Sequence, residues 1–346
     1  MRKCVIALLL LIFCVVPVHG EAFTAPPVPD AAEVLIPEQP ETFSEGLATV
    51  LREAVDYLYP AFRTALGSCI GIIAVVMLCA LVENLPGATD KVINIVTTVA
   101  VALLLIAPSR SLIRLGADTV REISEYGRLL LPVMTASMAA QGGVSTSAAL
   151  YAGTAFFDAL LSGIISSVIV PMLYVFLCLS VASCATGEEI LAKLTGIIKW
   201  AMTWSLKIIL YVFTGYMGIT GVISGTTDAA AMKATKLTIS GMVPVVGGIL
   251  SDASEAVLVS AGLMKSAIGV YGVVVVIALW IRPFIQIGVR YLMLKLTAGI
   301  CGIFGGKAPV KLIESFSGAM GLLLGMTGSV SVLLMVSVVC LMRGVG

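Results

Sequence analysis

Histidine occurs once in the 346 residues, at His19. Ser-His and Cys-His nucleophilic catalysis and histidine-ligated metal centres need an imidazole, so everything downstream of residue 19 is closed to them. Charge is also scarce: Asp, Glu, Lys and Arg make up 12% of the chain, against about 25% in soluble domains. Eight cysteines are present and none forms Cys-x-x-Cys. Six of them (Cys69, Cys79, Cys178, Cys184, Cys301 and Cys340) lie in or beside apolar segments, where a thiol acts as a small hydrophobe. No Rossmann fingerprint and no HExxH motif occurs. "CGIFGGKAP" (Cys301–Pro309) misses the phosphate-loop pattern twice, with Cys301 at its first glycine and Ala308 at its metal-binding hydroxyl. No basic block with interleaved aromatics is found, which argues against nucleic acid as a partner. The expectation is a protein without catalytic residues, cofactor or metal.

What the chain has is apolar surface. It is 59% hydrophobic, with a mean hydropathy of +1.08, where soluble domains run about 45–50% apolar. This predicts an all-α polytopic membrane protein. "MRKCVIALLLLIFCVVPVHGEAF" opens with Arg2 and Lys3, continues through an apolar core from Cys4 to Val16, and offers Val18 and Gly20 as a cleavage pair. Residues 1–20 therefore resemble a secretory signal peptide, the alternative being an uncleaved anchor. Residues 21–60 carry eight acids and one base, Arg52. A segment so poor in bases fits translocation out of the cytoplasm.

The division expected from sequence is a signal at 1–20, an exported acidic Pro-rich linker at 21–43, an amphipathic extracytoplasmic helix at 44–63 and a multi-span membrane domain at 64–346. Thr42 and Glu45 form a capping box for the amphipathic helix. Spans are expected at 64–82, 92–107, 160–182, 206–224, 267–281, 285–304 and 319–341, about seven in all, each near the length that crosses the hydrocarbon core. An odd count would put Arg343 inside if the N-terminus is outside. Pro108–Pro132 is too charged to span and reads as an interfacial helix, with Arg114/Asp118 and Arg121/Glu125 as i,i+4 pairs. Ala185–Lys207 reads as a second interfacial helix, with Trp200 and Trp204 at headgroup depth. Residues 133–153 are built from Ala, Gly, Ser, Thr and Met. They form either a re-entrant, pore-lining segment or a packed helix pair turning at Gly142 and Gly143. Gly-x-x-x-Gly at Gly67/Gly71, Gly221/Gly225, Gly302/Gly306 and Gly321/Gly325 predicts close helix packing, within one chain or between copies.

Two ionisable groups fall at membrane depth, Asp158 in "AFFDALL" and Arg282 in "WIRPF". They either line a wet path or pair with each other, or else they sit near span ends and reach the interface. A third irregularity is "SGMVPVVGGILSDASEAV" (Ser240–Val257). Pro244 removes a backbone donor, Gly247 and Gly248 weaken a helix, and Asp252 and Glu255 would each cost roughly 3 kcal/mol at the bilayer centre. A broken or re-entrant segment is expected there, or an ordinary loop. Ser251 would cap a helix running from Asp252 to about Gly269.

"KATKLTISGMVPVVGGILSDASEAVLVSAGLMKSAIGVYG" (Lys233–Gly272) closely resembles the stage III sporulation protein AE family of endospore-forming bacteria. "LLLPVMTASMAAQGGVSTSAALY" (Leu129–Tyr151) looks like that family's second hallmark, and "RPFIQI" (Arg282–Ile287) falls in its usual place. The family often has Asn after the lysine that is Lys265 here, where this chain has Ser266. The resemblance covers roughly residues 40–346. It implies a non-enzymatic integral membrane subunit of a channel or secretion complex connecting mother cell and forespore, placed in the mother-cell membrane around the engulfed forespore. It implies partners too: other membrane subunits, a separate cytoplasmic ATPase and a forespore membrane protein, besides the lipid bilayer. It brings no catalytic residues. Pro244, Gly247, Gly248, Ser251, Asp252, Glu255, Lys265, Gly142, Gly143, Asp158 and Arg282 are then candidates for structure and assembly. The alternative function is a self-contained secondary transporter of a small solute, since transporters also use broken helices and intramembrane acids.

Overall fold

The computed structural model describes residues 27, 29, 43–83, 90–141, 143–242, 247–304 and 306–343, and of 43–45, 83, 90–91, 221–242, 247–266 and 343 the backbone alone. The signal and nearly all of the Pro-rich linker expected at the N-terminus lie outside the described residues. Among those residues there is no strand, and seven α-helices follow one another: α1 Phe43–Glu83, α2 Asp90–Ala140, α3 Val144–Ile164, α4 Val170–Thr186, α5 Glu189–Met242, α6 Gly247–Phe304 and α7 Lys307–Arg343. The π-helical turn Ile165–Ile169 joins α3 to α4 without a break. The helix pairs on either side of each connection therefore make six long apolar rods among the described residues, and the chain is an all-α polytopic membrane protein.

Several boundaries expected from sequence are absent. The amphipathic helix at 44–63 and the span at 64–82 are one helix, with Pro60 inside it. Pro108 and Pro132 lie inside α2, so the charged piece between them is not a separate interfacial helix. The spans expected at 267–281 and 285–304 are one helix through Pro283, and among the described residues six helical stretches are long and apolar enough to span, where about seven are expected. The linker expected at Ala185–Lys207 is broken at Gly187 and then runs from Glu189 into the span at 206–224. The common cause is that a proline costs an isolated helix one hydrogen bond, whereas in a bundle neighbouring helices and side chains re-satisfy the freed carbonyl. Pro171, at the start of α4, is accommodated differently: the five-residue π turn before it widens the helix where the missing N–H would have bonded. A left-handed glycine does end a helix. Gly187, at φ 75°, caps α4 and donates its N–H to the Ser183 carbonyl at 3.0 Å.

Burial follows hydrophobicity around the helix. "YGVVVV" on α6 is apolar on every face, and residues 271–276 are all buried. The apolar stretches of α6 and α7 are 61% buried, against 22–33% in the other four rods. These two helices form the centre, α6 packing most extensively on α7 and α1, and α7 on α2.

Residue pairings fix the directions. Gly116 and Gly127 of α2 lie against Leu323 and Leu334 of α7; each pair is eleven residues apart, so the two helices run parallel for three turns. On α6, Gly269 meets Met342 and Met134, and Gly272 meets Leu130, so α6 runs antiparallel to both. Arg282 meets Tyr57, and Met293 clusters with Ala65 and Cys69, so α1 runs parallel to α6. Phe157 stacks on Phe213, and Tyr216 reaches Ala149, so α3 and α5 are antiparallel. The start of α1 and the end of α7 therefore share one end of the bundle, where an odd span count would have separated them.

Candidate functional site

α2 carries an unusual surface. Its inner face presents Ile113, Gly116, Val120, Ile123, Gly127 and Leu130 at three- and four-residue spacing, all buried against the bundle. Its outer face presents Arg110, Arg114, Asp118, Arg121, Glu125 and Arg128, all exposed. Arg121 and Glu125 pair at 3.0 Å one turn apart. The stripe lies level with Leu323–Leu334 of α7, inside an apolar span. At this height α3 and α5 expose Phe156, Ile208 and Tyr211, ordinary lipid-facing residues.

Behind the stripe sits Asp158 of α3, 5% exposed. Ser124 of α2 donates its hydroxyl to Asp158 Oδ2 at 2.5 Å. Asp158 thus fastens α3 to α2; its partner is Ser124, while Arg282 sits elsewhere, over the Tyr57 ring at 4.6 Å from the centroid. Of the roles expected for them, lining a wet path, pairing with each other or reaching the interface from a span end, the mutual pair is not formed. Burial makes the bond asymmetric: without its donor the carboxyl is left bare at a cost of about 1–3 kcal/mol, whereas removing both partners costs little. Ser124→Ala is expected to lower the thermal midpoint of the detergent-solubilised chain, and Ser124→Ala with Asp158→Leu to recover part of that loss. An unchanged midpoint in the single variant would contradict the assignment.

The segment 133–153 is a helix pair, not a re-entrant turn. α2 ends at Ala140, the Gly143 N–H bonds to the Met138 carbonyl at 3.2 Å, and α3 starts at Val144. Gly143 is its N-cap, and Gly142 lies outside the described residues. The small residues act one helix later: an added Cβ on Gly153 would fall 1.9 Å from Tyr216 Cε1 of α5. The Tyr216 hydroxyl donates to the Ala149 carbonyl at 2.9 Å. Thr154 donates to Ser337 Oγ at 3.0 Å, fixing α3 to α7 as well.

The Gly-x-x-x-Gly pairs are mostly not the contacts. Nothing lies within 4 Å of the Cβ positions of Gly67, Gly71 or Gly302. Gly306 meets Asn94, and Gly321 and Gly325 approach Tyr291 and Leu206 at 3.4 and 3.9 Å. Among the described residues the tight positions are Gly116, Gly127, Gly153, Gly269, Gly272, Gly306 and Gly318, and of these Gly306, 2.9 Å from Asn94 Oδ1, belongs to such a pair. Gly221 and Gly225 lie outside the described side chains.

Arg290 was not legible as special in the sequence, although an arginine inside "QIGVRYLML" is a signal that intramembrane charge alone could have raised. It is 4% exposed, and its Nε and Nη2 have no hydrogen-bond partner. Together with Gln286 it lines a cavity of about 360 Å³ between α1, α2 and α6. A larger groove of about 530 Å³ runs between α5, α6 and α7, with Lys199, Lys207, Lys295 and Glu314 on its walls.

The stretch 240–257 is helical on both sides of 243–246, and α6 already contains Gly247 and Gly248. Ser251 is therefore inside α6 rather than its N-cap, and the helix runs on to Phe304 instead of stopping near Gly269. Asp252, Glu255 and Lys265 also lie on α6, in the part where the backbone alone is described; Pro244 lies outside the described residues. Among the described residues no group of three or more His, Cys, Asp or Glu could hold a metal.

The chain is 22% identical over 252 residues to the stage III sporulation protein AE of Bacillus subtilis strain 168, covering 71% of this chain and 63% of that protein. It thus spans less than two thirds of the relative's length. No solved structure matches. The model of the family described as stage III sporulation protein AE matches residues 36–344, which include the α2–α3 hairpin, the stripe and all six apolar rods, and the chain belongs to that family.

Proposed function

We propose that the chain is a non-enzymatic membrane subunit of a channel or secretion complex that connects the mother cell to the forespore and sustains the forespore after engulfment. The observation that carries this reading is the exposed charged stripe of α2, level with an apolar span. Six charges cannot face lipid, so the stripe meets water or another subunit. Other membrane subunits of the complex are its partners, together with a forespore membrane protein. A separate cytoplasmic ATPase supplies energy, in keeping with the missing phosphate loop here. The protein lies in the mother-cell membrane around the forespore with its N-terminal segment extracytoplasmic. The helix ends at Glu83 and Asp90, at Thr186 and Glu189, and at Phe304 and Lys307 then face the cytoplasm, with Lys91, Lys193, Lys307 and Lys311 close by, in the sense of the positive-inside trend.

The test is a clean deletion in the source organism, followed by microscopy through growth and sporulation. Normal vegetative growth with arrest after engulfment and shrinking forespores is expected. A vegetative growth defect, or unimpaired sporulation, would overturn the reading and favour a solute transporter.

A further inference from the structure

The family hallmark "RPFIQI" supplies two members of a polar row on α6: Arg282 and Gln286, one turn apart, with Arg290 a turn beyond. All three face α1. Arg282 rests on Tyr57, and Gln286 and Arg290 line the cavity with Tyr57, Thr64 and Ser68 of α1 and Ser111 of α2. The row carries two positive charges, and among the described residues no carboxylate lies within ion-pair distance of either. A buried guanidinium without an acceptor is expensive, and buried charges in folded proteins are paired. Nε and Nη2, the unpartnered atoms of Arg290, form the edge of the fork that binds an oxyanion in bidentate fashion.

The position of the cavity narrows the choice of anion. Its walls are Pro60–Ser68 of α1 and Pro108–Leu112 of α2. The uncharged apolar run of α1 begins directly after Arg63, and that of α2 ends directly before Arg110. Both neighbours thus pass from apolar to charged sequence at the cavity. Beside it α1 exposes Leu58, Tyr59, Phe62 and Leu66, and α6 exposes Phe284, an apolar surface suited to acyl chains.

We propose that this cavity binds the phosphate of an anionic phospholipid, held by Arg290, with Gln286 and the hydroxyls of Thr64, Ser68 and Ser111 completing the shell and Arg282, on the Tyr57 ring one turn beyond Gln286, adding positive charge beside it. The site lies on the opposite side of α6 from the groove of the three lysines and is independent of the complex in which the chain works. A lipid bound here joins α1 to α2 and α6, and it supplies the counter-charge that Arg290 lacks within the chain.

The experiment uses the full chain, delipidated in mild detergent and titrated with phosphatidylglycerol while its thermal midpoint is followed, since a ligand of the native state raises the midpoint with concentration. Phosphatidylglycerol is expected to raise the midpoint saturably, and phosphatidylcholine to do so only weakly. Arg290→Gln should weaken the response by about tenfold or more, the loss expected for a charge-assisted bidentate contact. That variant also sheds an unpaired buried charge, so without lipid its midpoint is expected to equal or exceed the wild-type value. Ser111→Leu, which fills the cavity and leaves both arginines in place, should weaken the response as well. Equal responses from wild type and both variants would overturn the site. A saturable shift with inorganic phosphate alone, undiminished when the lipid is omitted, would overturn the lipid as the source and assign the cavity to free phosphate.

Discussion

Reversing the four stripe arginines, Arg110, Arg114, Arg121 and Arg128, to Glu is expected to abolish sporulation while leaving the chain folded and inserted. All four side chains are exposed and the core face of α2 is untouched, so the monomer loses only the surface pair of Arg121 with Glu125. An exposed pair of that kind contributes about 0.2–1 kcal/mol. The setting explains why the surface matters. Six charges facing hydrocarbon at roughly 3 kcal/mol each would come to about 18 kcal/mol, more than the roughly 5–15 kcal/mol that holds a typical protein folded. A stripe at this height therefore faces an aqueous path or a charged partner, and reversal of its sign opposes either one. Co-purification with membrane partners from sporulating cells, alongside spore counts, measures the effect. Undiminished co-purification and spore yield in the reversed variant would remove the stripe from the mechanism. The same substitutions to Leu separate the two environments further. A lipid-facing stripe would gain stability from Leu, whereas an assembly surface would lose partners without gaining any.

The second large effect is expected at Gly153, where a single methyl group cannot be added without displacing the Tyr216 ring. The clash is at 1.9 Å with Cε1 and 2.7 Å with Cζ, and the ring cannot swing freely because its hydroxyl is tied to the Ala149 carbonyl one turn away. Phe157 walls the ring in, its centroid 5.8 Å from that of Tyr216. Overpacking costs about 1–3 kcal/mol, and loss of the hydroxyl's bond adds about 1 kcal/mol. Gly153→Ala is thus expected to lose most of the α3–α5 junction, seen as reduced membrane levels and a lower thermal midpoint. Tyr216→Ala removes the obstacle at the cost of its own packing. In that background Gly153→Ala should cost almost nothing, so the double-mutant cycle has a coupling term close to the whole cost of the single change. Additive effects would mean that the two residues do not meet. By contrast Gly67→Ala and Gly71→Ala, in the Gly-x-x-x-Gly pair that sequence favours, have open space around the new methyl and are expected to be silent in the monomer.

The same comparison marks how far the residues could be read in advance. Apolar runs separated by short connections gave away the class, because a 12% charged chain has no means of covering six such runs with polar surface in water. The lack of any imidazole after His19 and the failed phosphate loop exclude that chemistry from the rest of the chain, since those reactions require particular atoms. The segment 133–153 could be read as a helix pair, because a Gly-Gly step between two helical patterns is a turn signal in itself. Helix boundaries were less legible. Pro60, Pro108, Pro132 and Pro283 each weaken a helix taken alone, and each lies inside one here, since the deficit is local while the compensation comes from neighbouring helices.

What the sequence determined by itself was therefore composition-level and local: an all-α membrane protein, without a histidine after His19, carrying the hallmarks of its family. What only the tertiary structure decided was partnership. Asp158 is found with Ser124 thirty-four positions away, Gly153 under Tyr216 sixty-three positions away, and Arg290 buried with no acceptor between α1 and α2. Such pairings depend on which helix faces which, and at what height. Helical periodicity specifies a face but not its neighbour, so those contacts exist only once the other four rods have packed around α6 and α7.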